Sequence, residues 1–250
     1  MQRRQFLRGI ATSAVVACPV CSALAESAGK PHWGYQGATG PRHWGTLDEA
    51  YATCAIGVQQ SPIDLAGSIA AVLAPLEFAY GTFEAEVVDN GHTIEVPVPP
   101  GHAVQVDGAD FTLLQFHFHA PSEHRIDSRA FPMEAHFVHR GGEGTLAVVA
   151  ILLAQGEDNA EYAPLFDRMP PDSAGSKTPV ALGSLLPDER GYYRYAGSLT
   201  TPGCAETVTW LVLRQPLSIA TSQIARFTNI YPNNARPLQP ANRRFVLRSF

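Results

Sequence analysis

The segment from Gln115 to His124 constrains this chain more than any other stretch. Its residues alternate between polar and aromatic side chains as far as His119, which is the period-two pattern of a β-strand. Because residues i and i+2 of a strand point to the same face, His117 and His119 lie side by side. Two such imidazoles supply half of a zinc site. Taken alone, the pair is equally compatible with two ordinary polar side chains.

A second segment, Met133 to His139, repeats the period-two pattern and places Glu134, His136 and Val138 on one face. A short turn over residues 127–132 is expected to return the chain antiparallel beside the first strand. His136 then becomes a third ligand. Three histidines leave the fourth tetrahedral position open, which is the mark of a catalytic rather than a structural zinc.

Two further polar residues share faces with the candidate ligands. A zinc-bound imidazole normally donates its second N–H to an acceptor, which fixes the orientation of the ring. Gln115 shares a face with His117, and Glu134 shares one with His136. We therefore expect both side chains to accept hydrogen bonds from the ligand rings, because core packing does not explain acceptors at these positions.

The runs QFHFHAPSEH (115–124), MEAHFVH (133–139) and GSLTTPGC (197–204) resemble the α-class carbonic anhydrases. Further blocks match in the family's order over about residues 31–250: HWGY (32–35), QSPID (60–64), DNGHTIEV (89–96), VTWLVL (208–213) and NNARPLQPANR (233–243). The resemblance implies a mainly β (α+β) fold. It has a large, twisted, mostly antiparallel central sheet, short peripheral helices, and zinc at the base of a conical cleft.

The resemblance also implies the chemistry. Zn²⁺ is the expected cofactor, held by His117, His119 and His136. The expected reaction is the reversible hydration of carbon dioxide to bicarbonate and a proton, by attack of a zinc-bound hydroxide. His92 matches the family's proton shuttle, and an ordinary imidazole pKa near 6.5 suits that task.

Glu123 and Thr200 match the family residues that orient the hydroxide. A hydroxyl group donates only once, so a threonine that donates to a carboxylate must accept from the nucleophile. The matching substrate pocket, which holds carbon dioxide against an apolar wall, consists of Val138, Val148, Leu199, Thr201, Val208 and Trp210.

Residues 1–25 are predicted to be a twin-arginine-type signal peptide, which leaves 26–250 as the carbonic anhydrase domain. Arg3-Arg4 precedes Phe6-Leu7 and a moderately apolar run that ends near Ala25. The run is too short and too polar for a membrane span, so we expect no integral membrane segment and a periplasmic or secreted protein. A competing interpretation is a lipobox that ends at Cys18, which would leave a lipid-anchored chain.

Net charge and composition limit which classes of partner the protein can bind. The chain carries a net charge of −5, and removal of Arg3, Arg4 and Arg8, with no acidic residue in the signal, lowers the charge to −8. A net-acidic chain without a basic run argues against nucleic acid and anionic membranes as partners. The expected partner is the small-molecule substrate, carbon dioxide or bicarbonate. A homodimer is also compatible with the sequence.

Of the four cysteines, only Cys54 and Cys204 lie outside the predicted signal. An even pair in an exported protein predicts a disulfide. Cys204 directly follows the segment 199–203, so the bridge would hold the loop that carries Thr200.

Several secondary-structure elements can be placed from pattern. Residues 147–153 and 207–213 read as buried central strands. Asn-Gly between apolar runs in 87–96 predicts a hairpin. Segments 158–169 and 218–230 are the best helix candidates.

Two other functional classes share features with this sequence. His117-x-His119-x-x-x-Glu123 also fits the first metal motif of the cupins. That motif needs a glycine six residues before the histidine pair, where this chain has Phe111, and the second cupin motif is missing. The other alternative is a binding protein that keeps the zinc without catalysis; the Glu123–Thr200 pair and His92 argue against it.

Overall fold

The computed structural model describes residues 32–170 and 176–250. The predicted signal peptide (1–25), its boundary with the domain, and Cys18 lie outside these residues and stay predictions. Within the described residues, no helix is long and apolar enough to span a membrane.

The described chain is dominated by short strands. They are β1 (Ile69–Ala71), β2 (Glu77–Ala79), β3 (Thr82–Glu86), β4 (Val88–Asp89), β5 (Ile94–Pro97), β6 (Ala103–Val106), β7 (Ala109–His119), β8 (Met133–Arg140), β9 (Leu146–Gln155), β10 (Lys177–Ala181), β11 (Tyr192–Gly197), β12 (Val208–Leu213), β13 (Leu217–Ile219) and β14 (Leu247–Ser249). The helices are α1 (Trp44–Leu47), α2 (Thr53–Ile56), α3 (Ala163–Phe166) and α4 (Thr221–Thr228), with 3₁₀ turns at Gly37–Thr39, Glu49–Tyr51, Gly142–Gly144 and Leu182–Leu185.

Twelve of the described strands form one sheet in the order β1-β14-β11-β12-β9-β8-β7-β5-β4, with β6 and β2 continuing from β7 and β13 beside β9. Most neighbours are antiparallel; the exceptions are β1 with β14, and β9 with β12 and β13. Strands β3 and β10 form a separate antiparallel pair. The predicted mainly β architecture with a mostly antiparallel central sheet and short helices is therefore confirmed.

The middle of the sheet is buried on both faces. Successive residues of each strand point to opposite faces, and each face packs in its own hydrophobic core. Phe116, Phe137, Val149 and Leu211 stand opposite one another across β7, β8, β9 and β12 and pack in the larger core. The next row faces the other way and begins with His117 and His136. Burial on both faces explains why β9 is almost continuously apolar, as the sequence predicted.

Two predicted helices are much shorter than expected. Segment 158–169 is helical only over α3. Asn159 Oδ1 accepts hydrogen bonds from the main-chain N–H groups of Glu161 and Tyr162, as a helix cap does. After Phe166 the N–H groups of Arg168 and Met169 bond three residues back rather than four, so the α-helix stops there. Segment 218–230 is helical only over α4. Its first residues belong to β13, which completes the edge of β9 by parallel pairing.

The other connections agree better with the sequence. The β4–β5 hairpin forms around Gly91, whose φ of +84° is readily adopted only by glycine. Cys54 and Cys204 form the predicted disulfide. The antiparallel pairing of β7 with β8 is confirmed, but their connection runs through residues 120–132 rather than a short turn over 127–132.

One buried histidine lies away from the histidine cluster. His139 of β8 is fully buried; its Nδ1 donates to the Ala147 carbonyl (3.2 Å), and its Nε2 accepts from the Tyr80 hydroxyl (2.6 Å). Burial lowers the pKa of His139 to about 4. The ring is therefore a neutral member of the core at physiological pH.

We expect His139 to make stability fall as the pH falls. Below about pH 6.5 the unfolded chain binds a proton at His139, and the folded chain does not until about pH 4. The free energy of unfolding should drop by about 3 kcal/mol through this window from His139 alone. The measurement is urea unfolding of the parent and of the double variant Tyr80→Phe/His139→Leu at a series of pH values. The double variant removes both partners of the Tyr80–His139 hydrogen bond. An equal slope in the two proteins would contradict the assignment.

Candidate active site

The register between β7 and β8 brings the candidate ligands together. His117 pairs with His136, and His119 pairs with Glu134. An irregularity between Leu113 and Gln115 shifts the pairing just before this region. His119 and His136 are buried, and His117 is partly exposed.

The three imidazoles converge on one point. Their ring centroids lie 4.9 Å apart for His117 and His119, 5.3 Å for His117 and His136, and 4.6 Å for His119 and His136. One nitrogen from each ring lies within 4.8 Å of the others, so the three can share a single metal ion. The predicted histidine triad therefore exists as a cluster.

Each ring has its other nitrogen bonded to an acceptor. His117 Nδ1 donates to Gln115 Oε1 (2.9 Å), and His136 Nε2 donates to Glu134 Oε1 (2.8 Å), as predicted. His119 Nδ1 donates to the main-chain carbonyl of Asn234 (2.8 Å). In each neutral ring the proton is on the nitrogen that makes this bond. His117 Nε2, His119 Nε2 and His136 Nδ1 therefore carry no proton and can each donate a lone pair to a metal ion. Three neutral nitrogens with fixed orientations fit zinc.

Electrostatics favour the neutral, metal-binding form of His117 and His119. Burial, together with the neighbouring rings, lowers the pKa of His117 well below its ordinary value, and burial also lowers the pKa of His119. Burial alone would raise the pKa of Glu134. However, contacts with His124 and His136 hold that pKa well below its usual range, so the carboxylate stays ionised. Neutral rings and an ionised acceptor are the states that metal binding requires.

Glu123 lies behind the cluster. Its Oε1 accepts from the Arg236 main-chain N–H (2.7 Å), and its Oε2 lies 4.0 Å from His136 Nδ1. Within the described chain, Oε2 is buried without a hydrogen-bond partner, so the bond to Thr200 that the resemblance implies is not formed in this structure. Thr200 is itself buried. An unpaired carboxylate oxygen beside the ligand nitrogens also fits a site that gains a polar group on metal loading.

A cavity of roughly 160 Å³ leads to the histidines. It is lined by Trp33, Tyr35, Asn90, His92, Thr93, Glu95, Gln115, His117, His119 and Thr201. The predicted residues His92, Gln115 and Thr201 therefore share one cavity with two of the ligands. The conical shape of the cleft and a zinc ion at its base stay predictions.

The predicted apolar wall lies beside His136 on the same face of the sheet. Val138, Val148 and Trp210 stand side by side across β8, β9 and β12. The Trp210 ring centroid lies 4.9 Å from that of His136. Val208 and Leu199 belong to the same apolar cluster. The structure thus gathers all five apolar residues in one cluster, of which Trp210 contacts His136.

Two contacts of the site escaped the sequence analysis. His124 donates from Nδ1 to Glu134 Oε1 (2.7 Å), and its main-chain N–H donates to Glu134 Oε2 (2.8 Å). The one feature of the sequence that could have identified His124 is its position at the end of the segment 115–124, which carries the ligands. The second contact is made by Trp33, which stacks on the His92 ring at a centroid distance of 3.6 Å.

Comparison with known proteins points to one family. The model of the eukaryotic-type carbonic anhydrases matches residues 39–250. A carbonic anhydrase from Pectobacterium carotovorum is 42% identical over 220 residues, which cover 86% of this chain and 90% of that protein. One from Klebsiella pneumoniae is 41% identical over 222 residues, with 86% and 90% covered. The α-carbonic anhydrase of Thermovibrio ammonificans, solved with the inhibitor sulfanilamide, is 42% identical with a TM-score of 0.82; the match covers 88% of this chain and all of that one.

Removal of the Gln115 side chain should weaken zinc binding. Gln115→Ala deletes the acceptor that orients His117, and loss of such a partner typically costs about 10- to 100-fold in metal affinity. The matched control is Gln105→Ala, which removes an exposed hydrogen bond from a glutamine of β6 to Asp110 of β7. Competition with a zinc chelator measures both. Equal zinc affinity in the two variants would show that Gln115 does not support the ligand.

Proposed function

Because the chain belongs to the eukaryotic, or α, type of carbonic anhydrase, we propose that its three-histidine cluster is the zinc site at which it works. It catalyses the reversible hydration of carbon dioxide to bicarbonate and a proton, the reaction of this family. One observation carries the proposal. Each of the three rings has one nitrogen bonded to an acceptor, and the three remaining nitrogens lie close together.

Bound zinc supplies Lewis acidity, which lowers the pKa of water to about 7 and so provides a nucleophile at neutral pH. The protein supplies the geometry. His117, His119 and His136 hold the metal through His117 Nε2, His119 Nε2 and His136 Nδ1. Because their rings are locked by Gln115, the Asn234 carbonyl and Glu134, little reorganisation is needed on binding.

Thr200 and Glu123 orient the attacking group. Glu123 Oε2 is the buried oxygen without a partner among the described residues, and the Thr200 hydroxyl is proposed to donate to it. Once that proton is committed, the Thr200 oxygen can only accept, so it selects a nucleophile that presents a hydrogen to it. The Arg236 main-chain N–H fixes the other carboxylate oxygen, so the direction of Oε2 is set by the backbone.

The apolar row of Val138, Val148 and Trp210 holds the substrate. Carbon dioxide has no net charge and little hydrogen-bonding capacity, so an apolar wall beside the ligands can bind it. The same wall offers water no hydrogen bonds and therefore does not hold water in the place of the substrate. Val208 and Leu199 extend this wall, and Thr201 lies at the cavity. Bicarbonate, which is charged, is held poorly by the same surface and is released.

His92 carries the proton away. It lines the same cavity as His117 and stacks on Trp33. Its position in the β4–β5 hairpin, partly exposed and at the wall of that cavity, supports this role. An imidazole accepts and releases protons near neutral pH, so it can shuttle the proton released by each hydration step.

The chain acts outside the cytoplasm. The Cys54–Cys204 disulfide and the bacterial relatives support an extracytoplasmic protein. Export by the twin-arginine-type signal of residues 1–25 is the proposed route to the periplasm or the medium, and a lipid anchor at Cys18 is the alternative.

We expect hydration to depend on the cluster. His119→Ala removes a ligand and should lower kcat/KM at least about a thousandfold, because the metal supplies several kcal/mol of barrier reduction. The control is His43→Ala, an exposed histidine, which should leave the rate unchanged. Stopped-flow hydration of carbon dioxide on zinc-loaded protein measures both. A folded, zinc-loaded parent without activity would overturn the proposed function.

The shuttle has its own signature. His92→Ala should lower kcat about 10- to 100-fold in dilute buffer, because general acid–base groups typically contribute at least that much. It should leave kcat/KM nearly unchanged, since the proton leaves after the chemical step. Added imidazole buffer should restore kcat. A variant with full kcat in dilute buffer would show that the proton takes another route.

A further inference from the structure

Exposed hydrophobic side chains are concentrated at one edge of the molecule. Six large ones are well exposed in the described chain, and all fall within residues 56–72 and 245–250: Ile56, Val58, Ile69, Val72, Phe245 and Phe250. Val72 is 92% exposed and Phe250 is 80% exposed, so both side chains reach well into solvent.

The two segments lie together. Strand β1 is the last strand of the sheet and pairs in parallel with β14, with Ile69 opposite Leu247. Asn242 Nδ2 donates to the Val58 carbonyl (2.7 Å). Val72 and Phe250 line one common depression. We call this surface, made of residues 56–58, 69–72 and 242–250, the β1/β14 edge.

The same edge is basic although the chain is acidic. Residues 190–250 contain eight arginines, no lysine and a single acid, Glu206, whereas residues 33–189 contain 21 acidic and only 6 basic residues. Arg194, Arg243 and Arg244 line one depression of about 400 Å³ with Phe245. The expectation that net acidity argues against anionic surfaces therefore overlooks this segregation of charge.

Two of these arginines already have partners. Arg194 forms an ion pair with Asp107 (2.5 Å), and the Arg244 guanidinium keeps its charge but donates to the carbonyls of Gln60, Ala196, Pro240 and Ala241. Arg243 and Arg248 form no ion pair within the described residues. These two arginines are available to a partner.

We propose that the β1/β14 edge docks the protein on an anionic phospholipid bilayer. Arginine binds phosphate oxygens in a bidentate manner, and protruding Phe and aliphatic side chains insert at the boundary between headgroups and acyl chains. A second copy related by a two-fold axis fits less well, because an isologous interface would press this arginine-bearing surface against the same surface of the other copy.

The position of the edge is compatible with catalysis. In the sheet order, β11, β12 and β9 separate β14 from the histidine-bearing strands β8 and β7. The cavity with His92 and His117 therefore lies several strands away from β1 and β14. A docked enzyme would hydrate carbon dioxide at the surface through which the gas emerges.

The test is sedimentation of the full chain with vesicles of phosphatidylcholine, alone or with one third phosphatidylglycerol. We expect binding only to the anionic vesicles, and weakening as salt rises from about 0.1 M to about 0.5 M. Arg243→Gln/Arg248→Gln should lower vesicle affinity about 30-fold, and Phe245→Ser should lower it without changing the salt dependence. Free-enzyme hydration should be unchanged in both.

Two charge-matched controls make the test specific. Arg42→Gln/Arg140→Gln removes two exposed arginines elsewhere, and Arg3→Gln/Arg4→Gln removes two from the N-terminal segment. Both should bind like the parent. Equal losses in either control, or equal binding to uncharged vesicles, would overturn the proposal. So would a dimer, measured by light scattering without lipid, that Phe245→Ser dissociates, because the edge would then be an interface between copies.

Discussion

The register of β7 against β8 is the constraint on which the site depends. It sets His117 opposite His136 and places Gln115 and Glu134 on the same face as the rings they support. Because side chains alternate with a period of two, a slip of one residue would turn the histidines into the core and the phenylalanines out. The stacked pair of Phe116 and Phe137, with ring centroids 4.9 Å apart, resists that slip. Packing on one face of the sheet thus holds the chemistry on the other.

A buried carboxylate completes the arrangement. Glu134 accepts from His136 and from the His124 ring and main chain, and the His124 ring in turn contacts the Tyr195 hydroxyl (2.7 Å). A buried charge without such partners would be costly, so the network stabilises the ionised form and fixes His136 at once. Glu123 differs, because one of its oxygens keeps no partner among the described residues. Catalysis is proposed to use that oxygen.

The sequence was sufficient where a local pattern carried the information. Period two predicted the ligands on β7 and β8 and the acceptors Gln115 and Glu134, and the family resemblance predicted the fold. It failed where tertiary contacts decide. The predicted helix over 158–169 shrinks to α3 because the main chain after Phe166 bonds three residues back rather than four. The third acceptor is a main-chain carbonyl, at Asn234, which leaves no mark on a pattern of side chains. The basic, apolar β1/β14 edge joins segments that lie far apart in the chain. The net charge of the whole chain therefore gives no indication of it.

The central claim is that three particular nitrogens hold one zinc ion. A crystal structure of the zinc-loaded chain, with anomalous diffraction recorded on both sides of the zinc edge, tests it most directly. The account predicts one zinc peak bonded to His117 Nε2, His119 Nε2 and His136 Nδ1, with the hydrogen bonds to Gln115, the Asn234 carbonyl and Glu134 retained. Zinc bound instead at His124 and Glu134, or no zinc at the triad in a folded protein, would contradict it.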